Sequence, residues 1–342
     1  MATYGAKALT RIAVASQAGF GTAATFGTAN GEVLFNDTIG TLDLGVTIDL
    51  GENISVGKRT AIQSSQPTIT GKAPVLTIAE SAASLRTLPI FFQSIGGTVS
   101  GTAPSTWTWT PTQNDVDTLD FLTFLVTDGV QQYTVRDAVP TEITLSADAN
   151  GLLQAGATFA ATVVTSSSAT YPTTLNTNPM MPGRLLKLST DTDFPDKTGT
   201  GATDFASIYN FNLSIQTGVG MVTALDGSLT AATAAMTGVL DATLTFTAAS
   251  NSAATTSFPI TAIGSQKFLR LYGSLSGTPA YGIWILGSFV IENVVPLSAD
   301  QDGVVVNEVT CRLALDSTVA AGAGKSIQVI IDSPLAAIPA GV

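Results

Sequence analysis

The feature that most constrains this chain is a recurring strand-turn-strand pattern with turn residues at defined places. Leu119 to Val126 is a Phe- and Leu-rich run, Asp128-Gly129 follows, and Val130 to Val135 resumes an extended pattern. Asp-Gly between two apolar runs supplies the backbone angles of a tight hairpin. A second unit has Ile143 to Ala147, Asn150-Gly151 at the turn, and the long run Leu152 to Val164. With 51 Thr, 32 Gly and 15 Pro in 342 residues, and few helical windows, the chain reads as all-β, built of short strands joined by turns.

The second half continues in the same way, with strands expected at Tyr209 to Ile215, Ala242 to Thr247, Phe268 to Leu271, Ile283 to Ile291, Val304 to Leu315 and Ile327 to Ile331. In the fifth, Val309, Cys311, Leu313 and Leu315 share one face while Glu308, Thr310 and Arg312 share the other, which points the single cysteine into a core. One segment departs from the pattern. Ala79 to Ile95 has Leu85, Leu88, Phe92 and Ile95 at helical spacing and ends at Gly96-Gly97, so it reads as a flanking amphipathic helix that Pro89 kinks or stops early.

The stretch from Thr165 to Pro182 is rich in Ser, Thr, Pro and Asn and lacks periodicity, as a linker does. On either side the sequence echoes itself. Ser146-Ala147-Asp148-Ala149-Asn150-Gly151-Leu152-Leu153 matches Ser298-Ala299-Asp300-Gln301-Asp302-Gly303-Val304-Val305, and each is preceded by Val-Pro, at 139–140 and 295–296. Each copy follows a strongly apolar strand, Leu119 to Val126 or Ile283 to Ile291. Duplication is the economical account, with an N-terminal segment at 1–30, a first β domain at 31–165, a linker at 166–203 and a second β domain at 204–342.

Charge excludes much. Only 11% of residues are charged, against about 25% in ordinary domains, and the net charge is −11. Such a chain has no basic surface for gripping a phosphate backbone. Few charges in a chain without a spanning-length apolar run or a leader-like N-terminus lead to the expectation of a soluble, cytoplasmically assembled protein with surface committed to subunit contacts.

Histidine is absent, which removes Ser-His-Asp and Cys-His catalysis and most zinc sites. Other motifs fail on inspection. Gly322-Ala323-Gly324-Lys325-Ser326 has Val319 where a phosphate loop needs glycine, and a strand pattern follows instead of a helix. Ser298-x-Asp300-x-Asp302-Gly303 has Ser298 and Val309 at the first and twelfth positions of a calcium loop, where carboxylates are required. Asp191, Asp193 and Asp196 cluster near Gly199 but lack glutamate and contain Pro195. Trp107-Thr108-Trp109 places two indoles on one face, either in a packed interior or as an aromatic sugar platform. The N-x-[ST] triplets at Asn36, Asn53 and Asn212 have no meaning without a secretory route. No catalytic, cofactor or metal residue is therefore assigned, and the chain is not expected to be an enzyme.

The order of features resembles major tail tube proteins of long-tailed bacteriophages. The opening Ala8-Leu9-Thr10-Arg11-Ile12-Ala13-Val14-Ala15-Ser16-Gln17 with Gly19-Phe20-Gly21-Thr22-Ala23-Ala24 resembles their start, as does a Gly-containing strand such as Thr68 to Thr77 leading into a helix. Asp148 to Gly151 before a long strand, and the closing Asp302 to Asp316 and Ile327 to Asp332, are similar too. The resemblance implies a β-sandwich or barrel with a flanking helix, six domains closed into a ring, and rings stacked into a virion tail tube through which DNA leaves. Three chains complete such a ring if each holds two tube domains, and six if the second half is accessory. The implied partners are further copies of the chain, a tape measure protein in the lumen, tail terminator and tail tip or baseplate proteins, a sheath if the tail is contractile, and passing DNA that is not specifically bound. No cofactor and no membrane contact are implied.

An acidic lumen suits DNA passage, because cationic walls bind phosphates. Asp115, Asp117, Asp148, Asp300 and Asp302 lie near expected turns and are the candidate lumen acids. The alternative is a surface-binding module, a capsid decoration protein or carbohydrate-binding adhesin, with Trp107 and Trp109 as the contact. A paired-carboxylate hydrolase is a third reading that no acid spacing supports.

Overall fold

The computed structural model describes residues 10–28, 30–34, 39–49, 68–101, 104–112, 118–174, 176–199, 201–205, 208–250, 257–277, 280–301, 303–316 and 324–340. Strands dominate them, all paired antiparallel. Among the described residues no helix is long and apolar enough to cross a membrane.

Two long strands organise the sheet, Gln132–Asp148 and Gly282–Gln301. Each changes partners along its length. The first begins between Leu122–Thr127 and Val163–Ser166 and ends between Gln154–Ala160 and Ile208–Gln216. The second begins between Gln266–Ser274 and Ile327–Ser333, then pairs with Val304–Leu313. The switches coincide with bulges, and the Val-Pro of each repeat copy lies at one: register shifts occur at Pro140/Glu142 and at Val295/Ala299. Proline is tolerated in a strand where the ladder is already interrupted.

Each long strand also holds one of the two described non-glycine residues with positive φ, Asp137 at 57° and Leu297 at 54°. Asp137 is held by its surroundings. Its fully buried carboxylate accepts from Gln17 Nε2 at 2.9 Å, the Gly21 amide at 2.7 Å, Arg136 Nε at 3.0 Å and the Thr162 hydroxyl. A buried carboxylate is tolerable when it is paired and hydrogen-bonded in this way, and it pins the N-terminal segment to the bulge.

Both expected hairpins are present. At the first, Asp128 caps its turn by accepting from the Val130 and Gln131 amides at 2.8 and 2.6 Å, and Gly129 takes φ 86°. The run expected as one strand from Leu152 to Val164 is broken into Gln154–Ala160 and Val163–Ser166, because Ala161 and Thr162 bond instead to Pro74 O and Arg136 O. The six strands expected in the second half all form, most with ends shifted by at most three residues, but the strand from Ile283 runs ten residues further, to Gln301, and the one from Val304 stops at Leu313, leaving Leu315 exposed beyond it.

The expected helix from Ala79 to Ile95 is corrected. Ala79 to Ala82 close the strand Val75–Ala82, and the α-helix is only Pro89–Gln93, with Pro89 at its first turn. Proline starts this helix instead of ending it, since a first-turn residue needs no amide donor. Leu85, Leu88, Phe92 and Ile95 are all buried, so their spacing records packing through a turn and one short helix. The Gly97 amide bonds to Phe92 O at 3.0 Å, and Gly96 takes φ 91°, which closes it. Likewise the expected strand Thr68 to Thr77 is divided at Ala73-Pro74 into Thr68–Lys72 and Val75–Ala82.

Within the stretch expected to be a linker, Lys187–Asp191 forms a strand paired with Phe268 to Tyr272. Met181, Leu186 and Leu188 from that stretch are buried. The repeat comparison also changes at one point. Ile283 to Ile291 is the beginning of the second long strand, whereas Leu122–Thr127 is a separate strand before the first. The largest core cluster gathers side chains from before and after residues 166–203, among them Phe124, Phe159, Phe246 and Phe289.

Candidate functional site

An extended polar surface is one face of an eight-strand sheet. Its strands run, in spatial order, Ile39–Asp43, Val75–Ala82, Gln154–Ala160, the second half of Gln132–Asp148, Ile208–Gln216, Asp241–Ala249, Val304–Leu313 and the second half of Gly282–Gln301. Antiparallel register sorts the side chains onto two faces. Ile143, Leu145, Leu213, Ile215, Leu244, Phe246, Val309 and Cys311 are all buried on one face.

The other face is built in transverse rows by register. Thr41, Thr77, Thr158, Glu142, Gln216 and Asp241 form one row. Thr144, Ser214, Thr243 and Arg312 form the next. Then come Ser146, Asn212, Thr245, Thr310 and Asn293, and finally Asp148, Asn210, Thr247, Glu308 and Val295. Thr serves both demands here, since its branched Cβ favours the strand and its hydroxyl faces outward, except at Thr247, whose hydroxyl is buried.

Charge on this face is one-sided. Glu142, Asp148, Asp241 and Glu308 stand on it, joined by Glu80, which accepts from the Ser146 hydroxyl. The cation in these rows is Arg312, and it is spent on Asp241 through an Nη2–Oδ2 contact of 2.6 Å. Ser214 Oγ donates to Glu142 Oε1 at 3.0 Å. Such a face is hydrated and repels a polyanion, because no free cation displaces the counterions of a phosphate backbone.

The structure disposes of the other sequence candidates in turn. Trp107 and Trp109 are 4% and 2% exposed, and their indole N–H groups donate to Leu335 O at 2.7 Å and Ile95 O at 3.0 Å. They are core residues with satisfied polar ends, so the contact invoked for a carbohydrate-binding or decoration role is corrected. Ser326 leads into the strand Ile327–Ser333, and Asp316 N donates to Lys325 O, so Gly324 and Lys325 run into a strand and open no helix; Gly322 and Ala323 lie outside the described residues.

Asp300 accepts from the Gly303 amide at 2.9 Å as a turn residue, and Asp302 lies outside the described residues. Asp191 accepts from Thr192 N at 2.8 Å, and Asp196 accepts from Thr198 and Gly199. Among the described residues no group of three or more His, Cys, Asp or Glu is gathered as a metal would need. Of the five candidate lumen acids, Asp148 is on the polar face and Asp300 is at a hairpin tip; Asp115 and Asp117 lie outside the described residues. Asn36 and Asn53 are also outside them, and Asn212 is on the polar face.

Cys311 is fully buried, and burial pushes its thiol up to about 12, so it stays a protonated packing residue at neutral pH. A cleft of about 480 Å³ lies beside Trp109, Thr217, Met236, Leu313 and Leu315, with no titratable side chain among the described residues of its wall. No family model matches the chain, and no curated protein matches it.

What sequence reasoning missed is the polar face as a unit. The alternation was visible within single strands, in Thr243, Thr245 and Thr247 or Glu308, Thr310 and Arg312, but the rows join residues far apart in the chain and exist only through register.

Proposed function

We propose that this chain is a structural subunit that self-assembles into stacked rings, as a phage tail tube does, with the acidic, hydroxyl-rich sheet face lining the conduit. The observation that carries this reading is the eight-strand face itself: five carboxylates, rows of Thr, Ser and Asn, and one arginine already paired with Asp241. A wall with that chemistry lets DNA pass without holding it, since each added free cation would strengthen binding. The virion tail, the tape measure protein in the lumen and the terminator and tip proteins belong to this reading. Burial of both tryptophans removes the feature that favoured a surface-binding module.

Exposed apolar side chains give the same reading a means of assembly. Leu44, Ile48, Leu225, Val239, Leu297 and Leu315 are each at least 49% exposed. Low overall charge and apolar projections suit subunit contacts.

Negative-stain microscopy and sedimentation of the purified chain test the proposal. Rings or tubes are expected, with the mass of the smallest closed ring giving three or six chains. A monodisperse monomer at every concentration would overturn it.

A further inference from the structure

Two apolar projections leave the eight-strand sheet at diagonally opposite corners. At one lateral edge, the strands Ile39–Asp43 and Val75–Ala82 continue into an isolated two-stranded ribbon, Val46–Asp49 paired with Thr68–Lys72. All of Val46–Asp49 is exposed, and the ribbon region shows Leu44, Val46, Ile48 and Ile69 to solvent. A two-stranded ribbon is marginal alone in water; here the Lys72 amide bonds to Leu229 O at 2.8 Å and ties its base to the rest of the molecule, while its apolar side chains stay exposed. Lys72, at its base, is exposed and makes no ion pair with the described residues.

At the other lateral edge, the hairpin between Gly282–Gln301 and Val304–Leu313 runs on past the last row of the face. Val304 lies four positions before Glu308, about 13 Å of extra reach at about 3.3 Å per residue. Val295, Leu297, Val304 and Val305 are exposed on it, Leu297 at 71%. Its charge is of one sign: from 271 to 311 the sequence has Glu292, Asp300, Asp302 and Glu308 and no Lys or Arg.

The corners also differ in direction along the strands. The ribbon leaves at the end where Asp43 pairs with Val75, near Val139 and Asp241, whereas the hairpin leaves at the end marked by Asp148 and Glu308.

We propose that the hairpin tip of one copy docks on the ribbon of a second copy, Leu297 and Val305 packing against Ile48 and Ile69 with Asp300 facing Lys72. The acidic, cation-free tip and the unpaired lysine beside an equally apolar ribbon are complementary in both charge and character. The two surfaces are different patches, so the contact is head-to-tail, and their placement at opposite strand ends makes it an end-to-end joint that repeats as a stack. This rests on the self-assembly reading above and identifies its stacking contact.

Engineered cysteines test it cleanly, because the native Cys311 is fully buried. Full-length Leu297→Cys and Ile48→Cys chains, mixed and mildly oxidised, are expected to give a covalent dimer, whereas either variant alone gives little. Asp300→Lys and Lys72→Asp should each weaken assembly at least tenfold in the concentration required, and the double exchange should restore it. Tubes that form normally in both single charge variants, with no Leu297–Ile48 cross-link, would overturn this contact while leaving the tube reading intact. A wild-type chain that stays monomeric would overturn both.

Discussion

The turns at Asp148–Gly151 and Asp300–Gly303 share a sequence pattern and lie at the same end of the sheet, yet one is built into the molecule and the other is left bare. Around the first, the Leu153 amide donates to Met181 O, the Gly183 amide to Gly151 O and the Ala149 amide to Tyr209 O. Leu153 is fully buried. Its counterpart in the repeat, Val305, is 42% exposed, and Val304 beside it is 39% exposed. The same local code therefore marks a turn in both places, although Gly303 takes φ 79° and Gly151 takes no positive φ, and what sets their surroundings apart is the segment 179–186, which covers the first copy and has no described counterpart over the second. A turn motif specifies a hairpin; whether that hairpin is core or contact surface is decided by chain elsewhere.

Substitutions in and around the two turns break or sharpen this contrast. The largest difference is expected at Leu153 and Val305. Leu153→Ala removes a buried side chain and should cost about 3 kcal/mol in urea unfolding, while Val305→Ala should cost under about 0.5 kcal/mol in the isolated chain. Equal losses would mean that both turns are buried.

Glycine substitutions come next. A Cβ at Gly183 would stand 2.0 Å from Asp148 O, against backbone that cannot rotate away. Gly183→Ala should therefore lower stability by about 2 kcal/mol, the cost of overpacking. At Gly303 a Cβ meets nothing within 4 Å, and only φ 79° opposes it. Gly303→Ala should cost about 1 kcal/mol for left-handed backbone alone.

A smaller effect separates the two aspartates. The Gly303 amide bonds to the Asp300 side chain at 2.9 Å, whereas the Gly151 amide bonds to the Asp148 backbone oxygen at 2.9 Å. Asp300→Ala should lose roughly 0.5 kcal/mol and loosen its turn in hydrogen exchange, and Asp148→Ala should leave its turn protected. The smallest effect is at Leu297, whose left-handed φ costs the free chain energy. Leu297→Asn should leave monomer stability unchanged or raise it by a few tenths of a kcal/mol, yet raise the concentration needed for assembly.

Acid provides a further check on turn chemistry. The amides of Gln131 and Val130 hold the Asp128 carboxylate below its usual range. A lowered folded-state value stabilises the fold above the ordinary carboxylate range and is lost as pH falls through the folded value. Asp128→Asn should flatten the acid limb of the stability profile, measured by urea unfolding at successive pH values.

Much of the fold was legible because strands declare themselves by period two and turns by Asp-Gly or Asn-Gly. Cys311 and the alternation of Glu308, Thr310 and Arg312 were read correctly from one strand. The helix was not, because Leu85, Leu88, Phe92 and Ile95 reach one core through a turn and a single short helix, which mimics a longer period. Lys187–Asp191 was hidden by its polar neighbours, since only Leu188 and Ser189 of its five residues are buried. The polar face was illegible as a surface because Glu142, Gln216 and Asp241 become neighbours through register alone.

A cryo-EM reconstruction of assemblies formed by the full chain tests the central claim most directly. A lumen lined by Glu142, Asp148, Asp241 and Glu308 with their Thr and Ser rows is the predicted result. An assembly that turns this face outward, or whose lumen is ringed by unpaired Lys and Arg side chains, would contradict it.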